Sequence, residues 1–290
     1  MTSTPSPTLA VRIERWPIAG SFTISRGAKY EAVTVVAEVT AGGQVGRGEC
    51  TPYPRYSETP DGALAALEAM QEAVAGGLDR KALQAALPPG AARNALDCAL
   101  LDLEAKRSGR RAWDLLGRPP PKPAITAYTI SLGPPEVMAQ AAAAAAHRPL
   151  LKIKLGGEGD EARLAAVRKA APASELIVDA NESWTPDILE ANLLACANAG
   201  VRLVEQPLAA GRDEALARIR RPVPVCADES VHDRASLEGL RGRYDAVNIK
   251  LDKTGGLTEA IAMADAAKAI NIQPKIEILI RIAPPDFRAL

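Results

Sequence analysis

At 290 residues the chain is long enough for a barrel, or for a barrel with a smaller companion domain, and its 47% hydrophobic content supplies a substantial core. Basic and acidic side chains both number 35, so no charge excess points to nucleic acid or to an anionic membrane, and no apolar stretch reaches transmembrane length. The N-terminal MTSTPSPTLAVRIERW lacks the apolar centre of a signal peptide, which makes a cytoplasmic location the expectation.

In chain order, residues 8–15 and 31–40 carry β-branched, strand-like patterns, and AGGQVG at 41–46 reads as a turn into a further strand. Residues 61–76 and 91–107 read as helices; in the second, Ala92, Leu96, Ala99, Leu100 and Leu103 share one face. Together these predict an α+β domain over residues 1–120. The proline-rich GRPPPKPA at 117–124 is the clearest linker. Beyond it, over residues 121–290, strands near 124–130, 150–155, 176–181, 202–206, 223–228 and 246–251 alternate with helices, the last at about 256–270. Such alternation predicts a parallel sheet with right-handed crossovers. The four cysteines, Cys50, Cys98, Cys196 and Cys226, form no CxxC pair and are read as free thiols, and His147 and His232 as structural or surface residues.

Charged side chains recur late in these apolar runs: Lys152 and Lys154, Asp179, Glu205, Asp228 and Lys250, at steps of 27, 26, 23 and 22 residues from Lys152. Each step is the length of one strand–helix unit, so the charges converge at one mouth if the strands close into a (β/α) barrel, which is favoured over an open sheet. No GxGxxG or Walker motif is present, and Thr254-Gly255-Gly256 reads as a loop before a helix. Lys152 and Lys154, two apart on a strand, point the same way. Like charge, burial and a nearby cation lower a lysine from about 10.4 toward the 7–8 that suits a base, a difference of about 4 kcal/mol. Asp179, Glu205 and Asp228 are oxygen donors without histidine or cysteine, which favours Mg²⁺, with Mn²⁺ as a substitute, over zinc. Glu229 competes with Asp228 as third ligand, although alternation turns it to the other face, and Asn181 is a supporting group beside Asp179. Lys250 falls across the mouth from Lys154, so one amine can take a proton from a carbon while the other returns one to the opposite face.

The segments ISRG at 24–27, GRGECTPYPRYSET at 46–59, GAARNALDCALLDLEAKR at 90–107, KIKLG at 152–156, IVDANESW at 177–184, VEQPL at 204–208, VCADES at 225–230 and GRYDAVNIKLDKTGGLTEA at 242–260 closely resemble the dipeptide epimerases of the enolase superfamily, in its muconate-lactonizing subgroup. The resemblance implies an enolase-like barrel with an α+β capping domain and Mg²⁺-dependent epimerisation of a dipeptide such as L-Ala-D/L-Glu, in murein peptide metabolism. It implies Lys154 and Lys250 as the acid/base pair, Lys152 at the substrate carboxylate, and Asp179, Glu205 and Asp228 as metal ligands. It also places Arg26 on the distal carboxylate of a glutamyl residue, with Tyr53 and Tyr56 in a second specificity loop, and it leaves assembly into a homo-oligomer open. A cycloisomerase, an o-succinylbenzoate synthase, an N-acylamino acid racemase or a silent scaffold would share the lysines and the triad; the SRG and PYPRYSET loops favour the dipeptide epimerase. After residue 270 the chain, NIQPKIEILIRIAPPDFRAL, departs from the family pattern. KIEILI at 275–280 offers a seventh strand, but no eighth strand with an Asp-x-Asp motif is visible. The expectation is an incompletely closed barrel with impaired dipeptide affinity or folding.

Overall fold

In the computed structural model, which describes residues 5–277, the N-terminal third is built on one long hairpin. Strand β1 (Thr8–Ile24) pairs antiparallel with β2 (Gly27–Ala41), from Thr8 opposite Thr40 to Ile24 opposite Gly27. Both strands run well past the predicted 8–15 and 31–40. A register shift between Pro17 and Phe22 absorbs the proline, so pairing resumes as far as the Ser25-Arg26 tip. Gly42 and Gly43, at φ +59° and +77°, make the turn into β3 (Gln44–Cys50) that side chains with a Cβ would resist.

Helices α1 (Pro60–Glu68), α2 (Gln71–Ala75), α3 (Arg80–Ala86), α4 (Ala91–Ser108) and α5 (Ala112–Leu115) follow. The single helix predicted over 61–76 is two, because Met70 N–H bonds the carbonyl of Leu67, a tighter turn that ends the first. Val35, Ala37 and Val39 of β2 pack against Leu67, Leu83, Leu96 and Ala99 in a fully buried cluster. β3 lies almost in contact with α4. A Cβ on Gly48 would sit 2.1 Å from the Ala95 carbonyl oxygen, and one on Gly46 2.1 Å from that of Ala99. Gly48→Ala is therefore expected to destabilise the protein by at least about 2 kcal/mol, read as a melting temperature lowered by several degrees in calorimetry.

The remainder forms a seven-stranded sheet in sequential order: β4 (Tyr128–Ile130), β5 (Leu150–Lys154), β6 (Glu175–Asp179), β7 (Val201–Glu205), β8 (Val225–Ala227), β9 (Ala246–Lys250) and β10 (Gln273–Glu277), every adjacent pair parallel. Helices α6 (Pro135–Ala144), α7 (Asp160–Ala170), α8 (Pro186–Asn198), α9 (Leu251–Thr254) and α10 (Leu257–Ala269) lie between strands. The connections before β8 and β9 carry only short 3₁₀ turns, Glu214–Ala217 and Arg234–Leu240, where α-helices were expected. The prolines 207, 222 and 224 bound the first, and Asp233 and Ser236 cap each other's backbone in the second.

The strands alternate, except β7, where a register shift against β6 puts both Val201 and Val204 in the core. Leu151, Ile153, Leu176, Val178, Val204, Val225, Val247 and Ile249 join the apolar layer beneath the helices, while their neighbours point to the other face. That face is curved into a barrel. Lys275 of β10 reaches Glu205 of β7 at 2.8 Å, although three strands in a flat sheet would separate them by about 14 Å. β4 and β10 are the sheet's two ends among the described residues. The expected seventh strand is present as β10; the rest of KIEILI and the segment where an eighth strand was sought lie outside the described residues.

Candidate active site at the barrel mouth

Three consecutive strands each end in a carboxylate that points into the barrel: Asp179 on β6, Glu205 on β7 and Asp228 just past β8. Each is at most 1% exposed. One oxygen from each lies within 4.8 Å of the others. The two strands that flank these three in the sheet, β5 and β9, deliver the amines. Lys154 on β5 donates to Asp179 Oδ2 at 2.6 Å and to Asn181 Oδ1 at 3.0 Å. Lys152, one pleat below, bridges Asp179 at 3.1 Å and both oxygens of Glu205 at 3.0 Å. On the other side Lys250 ends β9 and donates to Asp228 Oδ2 at 2.5 Å. All six side chains predicted for the metal and base positions thus meet in one cluster.

Two further amines belong to it that the sequence reading passed over. Lys253 on α9 is 2% exposed and donates to the Asp228 carboxylate at 2.7 Å, to the Asp228 carbonyl at 2.5 Å and to the Asn248 carbonyl at 3.1 Å. Lys275 donates to Glu205 Oε2, and Asn248 Nδ2 to Glu205 Oε1 at 2.9 Å. The charges decide the ionisation. Burial drives Glu205 up, but Lys152 and Lys275 hold it well below the usual carboxylate range. Burial likewise opposes ionisation of Asp228, and Lys250 and Lys253 more than offset it. Carboxylate oxygens on three adjacent strands, with no histidine or thiolate among them, fit a hard divalent cation such as Mg²⁺.

Glu229 is not part of the triad, as alternation predicted, yet it still faces the mouth. Its Oε1 accepts from Arg26 Nη2 at 2.7 Å and from Asn181 Nδ2 at 3.4 Å. Burial, reinforced by the charges of Asp228 and Asp179, pushes its carboxyl up to about 7. Arg26, at the tip of the β1–β2 hairpin, thereby reaches the barrel loops from above. It also donates to the Asn181 carbonyl at 2.9 Å, to Glu182 at 3.1 Å and to the Tyr53 hydroxyl at 3.4 Å. Tyr53 and Tyr56 lie beside it in the second loop, their rings 5.8 Å apart. Tyr56 meets the edge of His232 at 5.2 Å, which gives that histidine a packing role.

The loops that hold these groups are constrained. Asn181, Glu182 and Gln206, all immediately after β6 or β7, adopt left-handed φ of 46°, 68° and 35°. Non-glycine residues rarely take this conformation unless their surroundings enforce it. Gln206 shows how: its Oε1 accepts the backbone N–H of Asp228 at 2.8 Å and of Ser230 at 3.0 Å, and its Nε2 bonds Tyr244 OH at 2.9 Å. From the hairpin domain, α4 supports the Lys250 loop. Arg93 donates to the carbonyls of Thr254 and Gly255, Asn94 to Asp252 at 2.7 Å, and Asp97 accepts from Thr258 N–H at 3.0 Å. Gly255 and Gly256 leave the room this contact needs, since a Cβ on either would fall 2.4–2.5 Å from Arg93 or Asp97. Gly255 and Gly256 are the loop before α10, as read from sequence, whereas Thr254 ends α9.

Among the described residues no helix is long and apolar enough to cross a membrane, and the four thiols are free. Residues 7–117 match the mandelate racemase/muconate lactonizing enzyme N-terminal domain, and residues 136–282 the enolase C-terminal domain-like family. The chain is 48% identical over 264 residues to the L-Ala-D/L-Glu epimerase of Escherichia coli strain K12, covering 90% of this chain and 82% of that one. An enolase family member from Agrobacterium tumefaciens with homology to dipeptide epimerases, solved with sodium and L-Ala-L-Glu, is 54% identical with a TM-score of 0.91 over 93% of this chain and 83% of its own. The dipeptide epimerase of Enterococcus faecalis V583, solved with Mg and L-Leu-L-Tyr, is 30% identical with a TM-score of 0.86 over 93% of this chain and 81% of its own. With two domain matches in order, and with barrel, triad and amines in place, the chain belongs to the mandelate racemase/muconate lactonizing enzyme family of the enolase superfamily, among its dipeptide epimerases.

Proposed function

We propose that the protein epimerises the C-terminal residue of a dipeptide such as L-Ala-D/L-Glu by Mg²⁺-dependent 1,1-proton transfer, in murein peptide metabolism. The observation that carries this reading is the order of strands across the mouth. Lys154 on β5 and Lys250 on β9 bracket the three carboxylate strands between them, so a carbon held over the triad has an amine on either side. Asp179, Glu205 and Asp228 would hold the cation, with Mn²⁺ able to replace Mg²⁺. When bound, the metal supplies positive charge against the substrate carboxylate, which lowers the cost of breaking the adjacent C–H bond.

The remaining chemistry belongs to the side chains. With these carboxylates committed to the cation they would hold, the Lys154 and Lys250 amines would be left to serve the α-carbon. The neutral amine takes the α-proton from one face, and the opposed ammonium delivers one to the other face. Configuration inverts, the two lysines exchange protonation states, and the site is set for the reverse reaction. Lys152 steadies the substrate carboxylate. Arg26 pairs with the distal carboxylate of a glutamyl residue, in a pocket bounded by Tyr53 and Tyr56. In this reading residues 1–120 are the capping domain that carries the specificity loops, and 121–290 carry the chemistry.

Incubation of the protein with Mg²⁺ and L-Ala-L-Glu in D₂O tests the proposal. The expected product is a mixture of glutamyl epimers with deuterium at the α-carbon, seen by NMR. No exchange with any member of a dipeptide panel at saturating Mg²⁺ would refute it.

A further inference from the structure

Glu182 is the most fully engaged acid at the mouth that the proposed chemistry does not use. Its side chain is 10% exposed, and both oxygens are occupied twice. Oε1 accepts from Arg55 Nη2 at 2.9 Å and from the backbone N–H of Ala210 at 2.9 Å. Oε2 accepts from Arg55 Nε at 3.0 Å and from Arg26 Nη1 at 3.1 Å. Those donors come from three different segments: the β1–β2 hairpin tip, the loop after β3, and the loop after β7. Glu182 itself belongs to a fourth, the loop after β6, where it is fixed at φ 68° with its N–H on the Gln206 carbonyl at 2.9 Å. Isolated surface ion pairs contribute little, but this one is bidentate to Arg55, shielded and shared by two arginines.

From this convergence we infer that Glu182 is a positioning residue that clasps both capping loops to the barrel and presets Arg26 for an anionic substrate side chain; the inference rests on the dipeptide reading above. The division of labour is visible on the Arg26 guanidinium. Its Nη1 is committed to Glu182 and the Asn181 carbonyl, and Ser25 Oγ donates to that same carbonyl at 3.1 Å. Its Nη2 faces Glu229 and Tyr53. A substrate carboxylate therefore exchanges with Glu229 on the Nη2 arm, while Glu182 keeps the other arm, and with it the plane of the guanidinium, in place. A neutral side chain gains nothing from that orientation. With all its acceptor sites filled, Glu182 is not available to take a proton or a metal itself.

The clasped groups are arginines, so trypsin reports on the clasp without any reference to turnover. Glu182→Gln cannot replace four accepted hydrogen bonds, because its amide nitrogen turns a donor toward donors. In the metal-free, substrate-free protein, cleavage after Arg26 and Arg55 should accelerate at least tenfold in this variant, with cleavage after the exposed Arg15 and Arg202 unchanged. With Mg²⁺ present, KM for L-Ala-L-Glu should rise about tenfold at a kcat within twofold of the parent, while KM for L-Ala-L-Leu shifts less than twofold. Glu182→Asp, which keeps the charge but falls one methylene short of Arg55, should be intermediate on both readouts and serves if the glutamine variant does not fold. Unchanged cleavage at both arginines, or equal KM changes for the charged and neutral dipeptides, would overturn the inference. If the parent turns over neither dipeptide, the functional reading fails, and the cleavage rates still decide whether the clasp exists.

Discussion

Lys154→Met and Lys250→Met each lower turnover of the dipeptide by about a thousandfold, a loss of about 4 kcal/mol in the barrier and within the range for removing a general acid or base. Steady-state kinetics measure it, and a melting curve separates it from unfolding. The fold should survive both changes because each carboxylate keeps a second amine. Asp179 retains Lys152 at 3.1 Å when Lys154 is lost, and Asp228 retains Lys253 at 2.7 Å when Lys250 is lost. No buried charge is left without a partner, which is the usual reason such a change unfolds a core. A loss of less than about tenfold in either variant would mean that amine is not an acid or base in the reaction.

The second large effect follows from Glu205, the centre of the triad. It accepts from Lys152 through both oxygens, from Asn248 and from Lys275. Glu205→Gln removes a metal ligand and strips two amines of a charged partner in the barrel interior. Mg²⁺ should then fail to support turnover. Breaking a buried pair in this way costs about 3–5 kcal/mol, and calorimetry should show a melting temperature lower by roughly 10 °C. Chelation of the unaltered protein should separate the two consequences. Turnover disappears and returns with added Mg²⁺, while the circular dichroism spectrum stays the same, because the amines already satisfy the carboxylates. Turnover that persists after exhaustive chelation would remove the cation from the reaction.

The barrel and the centre of the site were legible because strand ends are local features. An apolar run closed by a charged residue, repeated every strand–helix unit, fixes both the topology and where the charges meet, and Asp179, Glu205, Asp228, Lys152, Lys154 and Lys250 all followed from it. Lys253 was hidden because KLDKTGG reads as a strand end followed by the loop before a helix. Only the tight turn of α9 brings its amine back to Asp228. Lys275 lies on β10, in the segment read as a seventh strand, but its partner Glu205 lies 70 residues away. The Arg26–Glu182–Arg55 clasp spans more than 120 residues and depends on how the hairpin tip meets the loops after β6 and β7, which no local pattern encodes. The connections before β8 and β9 were misread as helices because length and spacing were weighed above the prolines that shorten the first. The hairpin strands were underestimated because Pro17 and Gly20 depress strand propensity, while pairing to β2 carries the strand past them.

The most direct test of two opposed amines over one carbon is epimer-resolved exchange in the two lysine variants. Each variant is incubated in D₂O with Mg²⁺ and, separately, L-Ala-L-Glu or L-Ala-D-Glu, and α-deuterium is followed by NMR. The account predicts complementary outcomes: one variant still exchanges the α-proton of one epimer only, and the other variant that of the other epimer only. If both variants lose exchange for the same epimer and keep it for the other, Lys154 and Lys250 work from one side of the carbon and the proposed inversion is wrong.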